Sequence, residues 1–121
     1  MDTINEVMTE KIVSVTGDTN LVDVAKLMLG NKISSALVKE GDNFIGIITK
    51  TDLVRKSIAE GLDPKTTLAK SIMSQPLLSL DQYVSRGEAN EFMLRNKTKH
   101  LAVSQGKKVI GLVTLKDMVT R

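Results

Sequence analysis

The sequence predicts an α/β (α+β) fold of two β-α-β-β-α repeats packed sheet to sheet about a pseudo-two-fold axis. Three observations predict it. The stretch Gly46-Ile47-Ile48-Thr49-Lys50-Thr51-Asp52 recurs as Gly111-Leu112-Val113-Thr114-Leu115-Lys116-Asp117, 65 residues on. The same offset aligns the rest of the chain without a gap, placing Met8 on Met73, Ser14 on Ser79, Met28-Leu29 on Met93-Leu94 and Gly41 on Gly106. Each copy also alternates short apolar runs with one helical pattern. A chain of 121 residues has room for one compact domain, so two half-domains sharing a core are expected rather than two independent domains. The expected boundaries are 1–60 for the first repeat, 61–71 for a connector and 72–121 for the second repeat.

Taken in order, each repeat opens on a short apolar run, Ile12-Val13-Ser14-Val15 or Leu77-Leu78-Ser79-Leu80, read as a strand. A helix start follows. Asn20 with Asp23, and Ser85 with Glu88, have the three-residue spacing of a capping box. Leu21, Val24, Ala25 and Met28 then share one helical face, as do Ala89, Phe92, Met93 and Asn96. Gly87 weakens the second helix by ~1 kcal/mol for no reason visible in the sequence. Asn31-Lys32 and Asn96-Lys97 end these helices. Strands are expected at Ser35–Val38 and His100–Val103, turns centred on Gly41 and Gly106, and third strands at Phe44–Thr49 and Val109–Thr114. The third strands are almost continuously apolar, which predicts burial on both faces. A last helix opens at Thr51-Asp52, running to about Glu60, and again at Lys116-Asp117. Gly61-Leu62-Asp63-Pro64 breaks the chain, and a short helix is expected within Thr67–Met73, equivalent to the lead-in Ile4–Met8. One unit alone exposes an apolar sheet face, which a second unit can cover.

Composition narrows the function classes. Mean hydropathy is near zero and hydrophobic residues make up 41%, as in a globular protein. No apolar run approaches the ~20 residues that span a bilayer, and the polar start Met1–Glu6 does not resemble a secretory signal, so a cytoplasmic location is expected. Cysteine is absent, which excludes disulfides and thiolate metal sites. His100 is the one histidine, so no histidine cluster points to a metal, and no nucleophile elbow surrounds any serine. An enzyme is not expected. The net charge of +3 comes from scattered lysines, and aromatics are 2% of the chain, which argues against a nucleic-acid partner that stacks bases. The repeat-equivalent Met8, Met28, Met73 and Met93 read as core.

The residues that could carry chemistry are Thr49 and Asp52, with Thr114 and Asp117. Each Asp follows a buried strand at the opening of a helix, where it can simply cap that helix. The same carboxylate can accept hydrogen bonds from the two hydroxyls of a ribose, and the Thr hydroxyl can donate to a sugar or phosphate oxygen. Capping and sugar binding use different lone pairs and do not exclude each other.

At this point the sequence resembles a known family. Val7-Met8-Thr9 and Ile72-Met73-Ser74, together with GIITKTD and GLVTLKD, look like a tandem pair of cystathionine β-synthase (CBS) domains, a Bateman module, over essentially the whole chain. The resemblance implies a regulatory module, with adenosine-type ligands (AMP, ADP, ATP or S-adenosylmethionine) bound in clefts between the repeats. It implies that the Asp holds the ribose hydroxyls. One site would join Thr114 and Asp117 with Thr9, Val13, Ile33 and Ser34. The other would join Thr49 and Asp52 with Ser74, Leu78, Thr98 and Lys99. Where the first repeat has Ser34-Ser35 the second has Lys99-His100, and in relatives basic residues here often reach phosphates. The site reached by Lys99 and His100 is therefore expected to take the more phosphorylated ligand. No cofactor is implied beyond that regulatory ligand. The chain shows no further catalytic or channel domain, so regulation is expected to act on a separate protein. A homodimer is also expected, with Leu53, Val54, Ile58, Met118 and Val119 available to face another copy. The alternative is a structural or interaction module that keeps the fold without a ligand.

Overall fold

In the computed structural model, which describes residues 2–119, the two repeats run in parallel order. The first has strand β1 (Ser14–Thr16), helix α1 (Leu21–Asn31), β2 (Ser35–Glu40), β3 (Asn43–Thr49) and α2 (Lys50–Asp52), which continues into a π-helix, Leu53–Ile58. The second is led by α3 (Ala69–Ile72) and has β4 (Ser79–Asp81), α4 (Arg86–Arg95), β5 (His100–Gln105), β6 (Lys108–Thr114) and a closing 3-10 turn, Leu115–Met118.

Both long helices start and stop as the sequence directs. The Asn20 side chain accepts from the Asp23 amide at 3.0 Å, and the Ser85 hydroxyl from the Glu88 amide at 3.1 Å, each satisfying an amide left over at a helix start. Lys32 and Lys97 end the helices in the left-handed region, with φ of 54° and 53°. The asparagine before each donates back to a carbonyl one turn earlier, Asn31 to Leu27 and Asn96 to Phe92, both at 2.8 Å. Leu21, Val24 and Met28 are buried, as are Ala89 and Met93, but Ala25 and Asn96 are exposed. The buried stripe is therefore narrower than periodicity suggested.

Each sheet has three strands, ordered β1-β2-β3 and β4-β5-β6, with a parallel first pair and an antiparallel hairpin. The first strands sit one to two residues later than expected. Bonding still reaches back, because the Leu37 amide donates to the Val13 carbonyl and the Ala102 amide to the Leu78 carbonyl, both at 3.0 Å. The hairpins are tighter than expected. Glu40 pairs with Asn43 and Gln105 with Lys108, leaving two-residue loops led by Gly41 (φ +60°) and Gly106 (φ +62°), as a type II′ turn requires. In β3, Gly46, Ile47 and Ile48 are buried as predicted; in β6, Gly111 and Val113 are buried but Leu112 is only half-buried.

The last helices differ most from expectation. Thr49 and Thr114, not the aspartates, are the cap residues, so the helices begin at Lys50 and Leu115. The first widens into a π-helix, with the Ala59 amide bonded to the Val54 carbonyl at 2.8 Å. No sequence signal distinguishes this wider winding from an α-helix.

The chain divides into two compact units, Val13–Leu77 and the chain up to Ile12 together with the chain from Leu78. These are cut differently from the sequence repeats, because each unit contains the other repeat's lead-in. Within the second unit, the Ile4 amide donates to the Val84 carbonyl at 2.9 Å and Thr9 exchanges amide–carbonyl bonds with Leu112 at 2.8 and 3.0 Å. Within the first, the Ala69 amide donates to Thr19 at 2.8 Å and Ser74 exchanges bonds with Ile47 at 2.8 and 3.0 Å. Each unit has its own core. Val24, Met28, Val38, Ile48 and Ile72 centre the first; Ile4, Met93, Leu101, Val103 and Val113 centre the second. Met73 and Met8 pack against these cores, so all four repeat-equivalent methionines are core or core-flanking. Thr3 closes the first lead-in turn, donating from its amide to Glu6 at 3.2 Å, and chiefly this amide holds the Glu6 carboxyl below its ordinary range.

Candidate functional site

The motif glycine is explained by the lead-in. A Cβ on Gly46 would stand 2.8 Å from the Ser74 carbonyl oxygen and 2.8 Å from the Met73 sulfur. On Gly111 it would stand 2.9 Å from the Thr9 oxygen and 2.6 Å from the Met8 sulfur. Only a residue without a side chain admits the incoming strand at this distance. The lead-in is thereby held against the third strand, and Thr9 or Ser74 arrives next to the motif that closes that strand.

In the unit Val13–Leu77, Thr49 and Asp52 form a reciprocal box. The Thr49 amide donates to Asp52 Oδ2 at 3.0 Å, and the Asp52 amide to Thr49 Oγ1 at 3.1 Å. The Ser74 hydroxyl reaches both carboxylate oxygens, at 3.0 and 3.2 Å. Lys56 Nζ lies 3.0 Å from Asp52 Oδ1. Asp52 is only 5% exposed, and a carboxylate at that depth is stable where its lone pairs are met by such donors. Val13, Ile33, Ser34 and Ser35 belong to this same unit. The Ser34 carbonyl accepts from the Lys50 amide at 3.1 Å, which ties the start of the second strand to the motif.

In the other unit, the Thr114 amide and hydroxyl both donate to Asp117 Oδ2, at 2.8 and 3.2 Å. Asp117 is half-buried, and among the described residues its Oδ1 accepts no hydrogen bond. Thr9, Leu78, Thr98, Lys99 and His100 belong to this unit. The Lys99 carbonyl accepts from the Leu115 amide at 2.9 Å, the counterpart of Ser34 with Lys50. Its side chain is exposed. Thr98 Oγ1 bonds the His100 backbone, donating to the carbonyl at 3.1 Å and accepting from the amide at 3.3 Å.

Thr9 thus shares a unit with Thr114 and Asp117, and Ser74 touches Asp52 directly. Lys56 escaped the sequence reading. Its signal was present, since a lysine four residues after an aspartate meets it on a helical face. Among the described residues no cluster of His, Cys, Asp and Glu could hold a metal, and no helix is long and apolar enough to cross a membrane.

Known proteins share this frame. The family model for the CBS domain matches residues 4–59 and again 69–121. An uncharacterized protein of Methanopyrus kandleri is 32% identical over 118 residues, covering 96% of this chain; the chain spans 60% of that relative's length. A CBS-domain structure from Burkholderia ambifaria superposes with a TM-score of 0.92 at 29% identity, covering 97% of this chain and 90% of that one. The hexameric CBS-CP12 protein from bloom-forming cyanobacteria gives a TM-score of 0.91 at 27% identity, covering 98% and 71%. With two matched copies that take up most of its length, the chain belongs to the CBS domain family.

Proposed function

We propose that this chain is a regulatory, ligand-sensing module that binds an adenosine-type ligand (AMP, ADP, ATP or S-adenosylmethionine) through its Thr-x-x-Asp motifs and modulates a separate partner protein. The observation that carries this reading is the half-buried Asp117 carboxylate, with one oxygen oriented by Thr114 and the other accepting no hydrogen bond among the described residues. A ribose hydroxyl is a suitable donor for it, and a charged acceptor makes such a bond strong. In a thermal-shift screen against adenine nucleotides and S-adenosylmethionine, at least one ligand is expected to raise Tm by linkage. The shift should vanish when Asp52 and Asp117 are both replaced by alanine. A wild type indifferent to every ligand would overturn the proposal.

A second reading, a structural or interaction module without ligand, is favoured by Asp52, whose carboxylate is taken up by Ser74 and Lys56. The same screen separates the two readings. We also propose a homodimer. Leu53 and Met118 pack into the cores, but Val54, Ile58 and Val119 are 59%, 67% and 77% exposed, leaving apolar side chains for a second copy to cover. Light scattering should give twice the chain mass; the mass of a single chain at micromolar concentration would contradict it.

A further inference from the structure

Among the described residues the two repeat-equivalent aspartates are not in equivalent surroundings: Asp52 has Lys56 beside it and is buried, and Asp117 is half-buried. The Lys56 ammonium is fixed by three acceptors: Asp52 Oδ1 at 3.0 Å, the Ile72 carbonyl at 3.2 Å and Ser74 Oγ at 3.3 Å. Those are all the donors an ammonium has. Ser74 in turn donates to Asp52, so lysine, serine and aspartate form a closed ring of charge-assisted bonds linking the π-helix to the lead-in after α3.

We propose that Lys56 is the resident occupant of the Asp52 carboxylate and withholds it from ligand, so that the chain takes one adenosine-type ligand rather than two, at the repeat carrying Asp117. The inference rests on the proposed function. A carboxylate offers about four acceptor positions. On Asp52 the Thr49 amide, the Ser74 hydroxyl and Lys56 claim three of them, across both oxygens. A ribose brings two hydroxyl donors and needs two positions. Seating it on Asp52 requires Lys56 or Ser74 to leave, and either departure strands polar groups at a buried carboxylate. Among the described residues, Asp117 imposes no such exchange, because only Thr114 bonds its carboxylate. Thr9, in the place of Ser74, engages Leu112 through its backbone, and its hydroxyl makes no hydrogen bond among the described residues. The sequence counterpart of Lys56 is Arg121, which lies outside the described residues. The assignment reverses the weight that Lys99 and His100 gave to the Asp52 grouping.

Isothermal titration with AMP, ADP, ATP and S-adenosylmethionine tests this on the wild type, Asp117→Asn and Lys56→Met. The wild type should bind one nucleotide per chain. Asp117→Asn should weaken that binding roughly tenfold or more, as for the loss of one charge-assisted contact. Lys56→Met should keep it and admit a second. Two equivalent sites in the wild type, wild-type binding by Asp117→Asn, or a single site in Lys56→Met would each overturn the inference. Binding of none of the four probes by any variant would instead overturn the proposed function, and the ligand assignment with it. The clasp itself is checked without ligand. Lys56→Met should lower Tm by several degrees, whereas Lys50→Met, at an exposed neighbour whose side chain makes no hydrogen bond among the described residues, should leave it unchanged. Equal Tm values for the two variants would overturn the clasp whatever the titrations give.

Discussion

Asp52 and Asp117 stand at the same place in two copies of one motif, and each bonds back to the threonine three residues before it. Read alone, either is explained as a helix-start device. What distinguishes them among the described residues is the neighbourhood: 5% exposure and a lysine beside Asp52, half-burial and an oxygen without a hydrogen bond on Asp117. Small residues can be weighed in the same way. Gly87 lies exposed in the first turn of α4, its backbone is not left-handed, and a Cβ there would meet only Ser85 Oγ, at 4.0 Å. The weakness visible in the sequence is therefore not bought back by packing. Gly87→Ala is expected to raise the unfolding free energy by about 0.5–1 kcal/mol, measured by urea denaturation; no change or a loss would mean that the glycine has a role the packing does not reveal.

At the scale of elements, the capped helices, their stops at Asn-Lys, the hairpins and the short helix Ala69–Ile72 were legible because each is written in local residues. The motif threonines were legible too, but their role was assigned to the wrong partner: Thr49 and Thr114 cap, and the aspartates complete the box. Less was legible where a contact crosses the chain. The ring of Lys56 with Ser74 and the demand for glycine at 46 and 111 depend on a lead-in that lies far away in sequence, and the π-winding of Leu53–Ile58 has no signal in its own residues. The glycine demand is testable. Gly111→Ala forces a Cβ against the Thr9 carbonyl oxygen and should cost about 1–3 kcal/mol. Gly30→Ala, with nothing within 4 Å, should cost nothing. Equal stability of the two variants in denaturant unfolding would refute the close-approach argument.

For the whole molecule, the repeat in the sequence and the compact unit in space are different objects. Exchange of lead-ins places Ile4 at the centre of the second unit's core and Ile72 in the first's. The same exchange delivers Thr9 beside the motif of Asp117 and Ser74 onto that of Asp52. A polar residue on each lead-in therefore lies against the other repeat's motif. Under the proposal this duplicated motif meets a nucleotide, and meets it at Asp117. The most direct measurement is a ¹H–¹⁵N correlation titration of the protein with AMP. The largest shifts are expected to centre on the amides of Thr9, Thr114 and Asp117. A spectrum that does not change, or changes confined to the hairpin turns at 41–42 and 106–107, would contradict it.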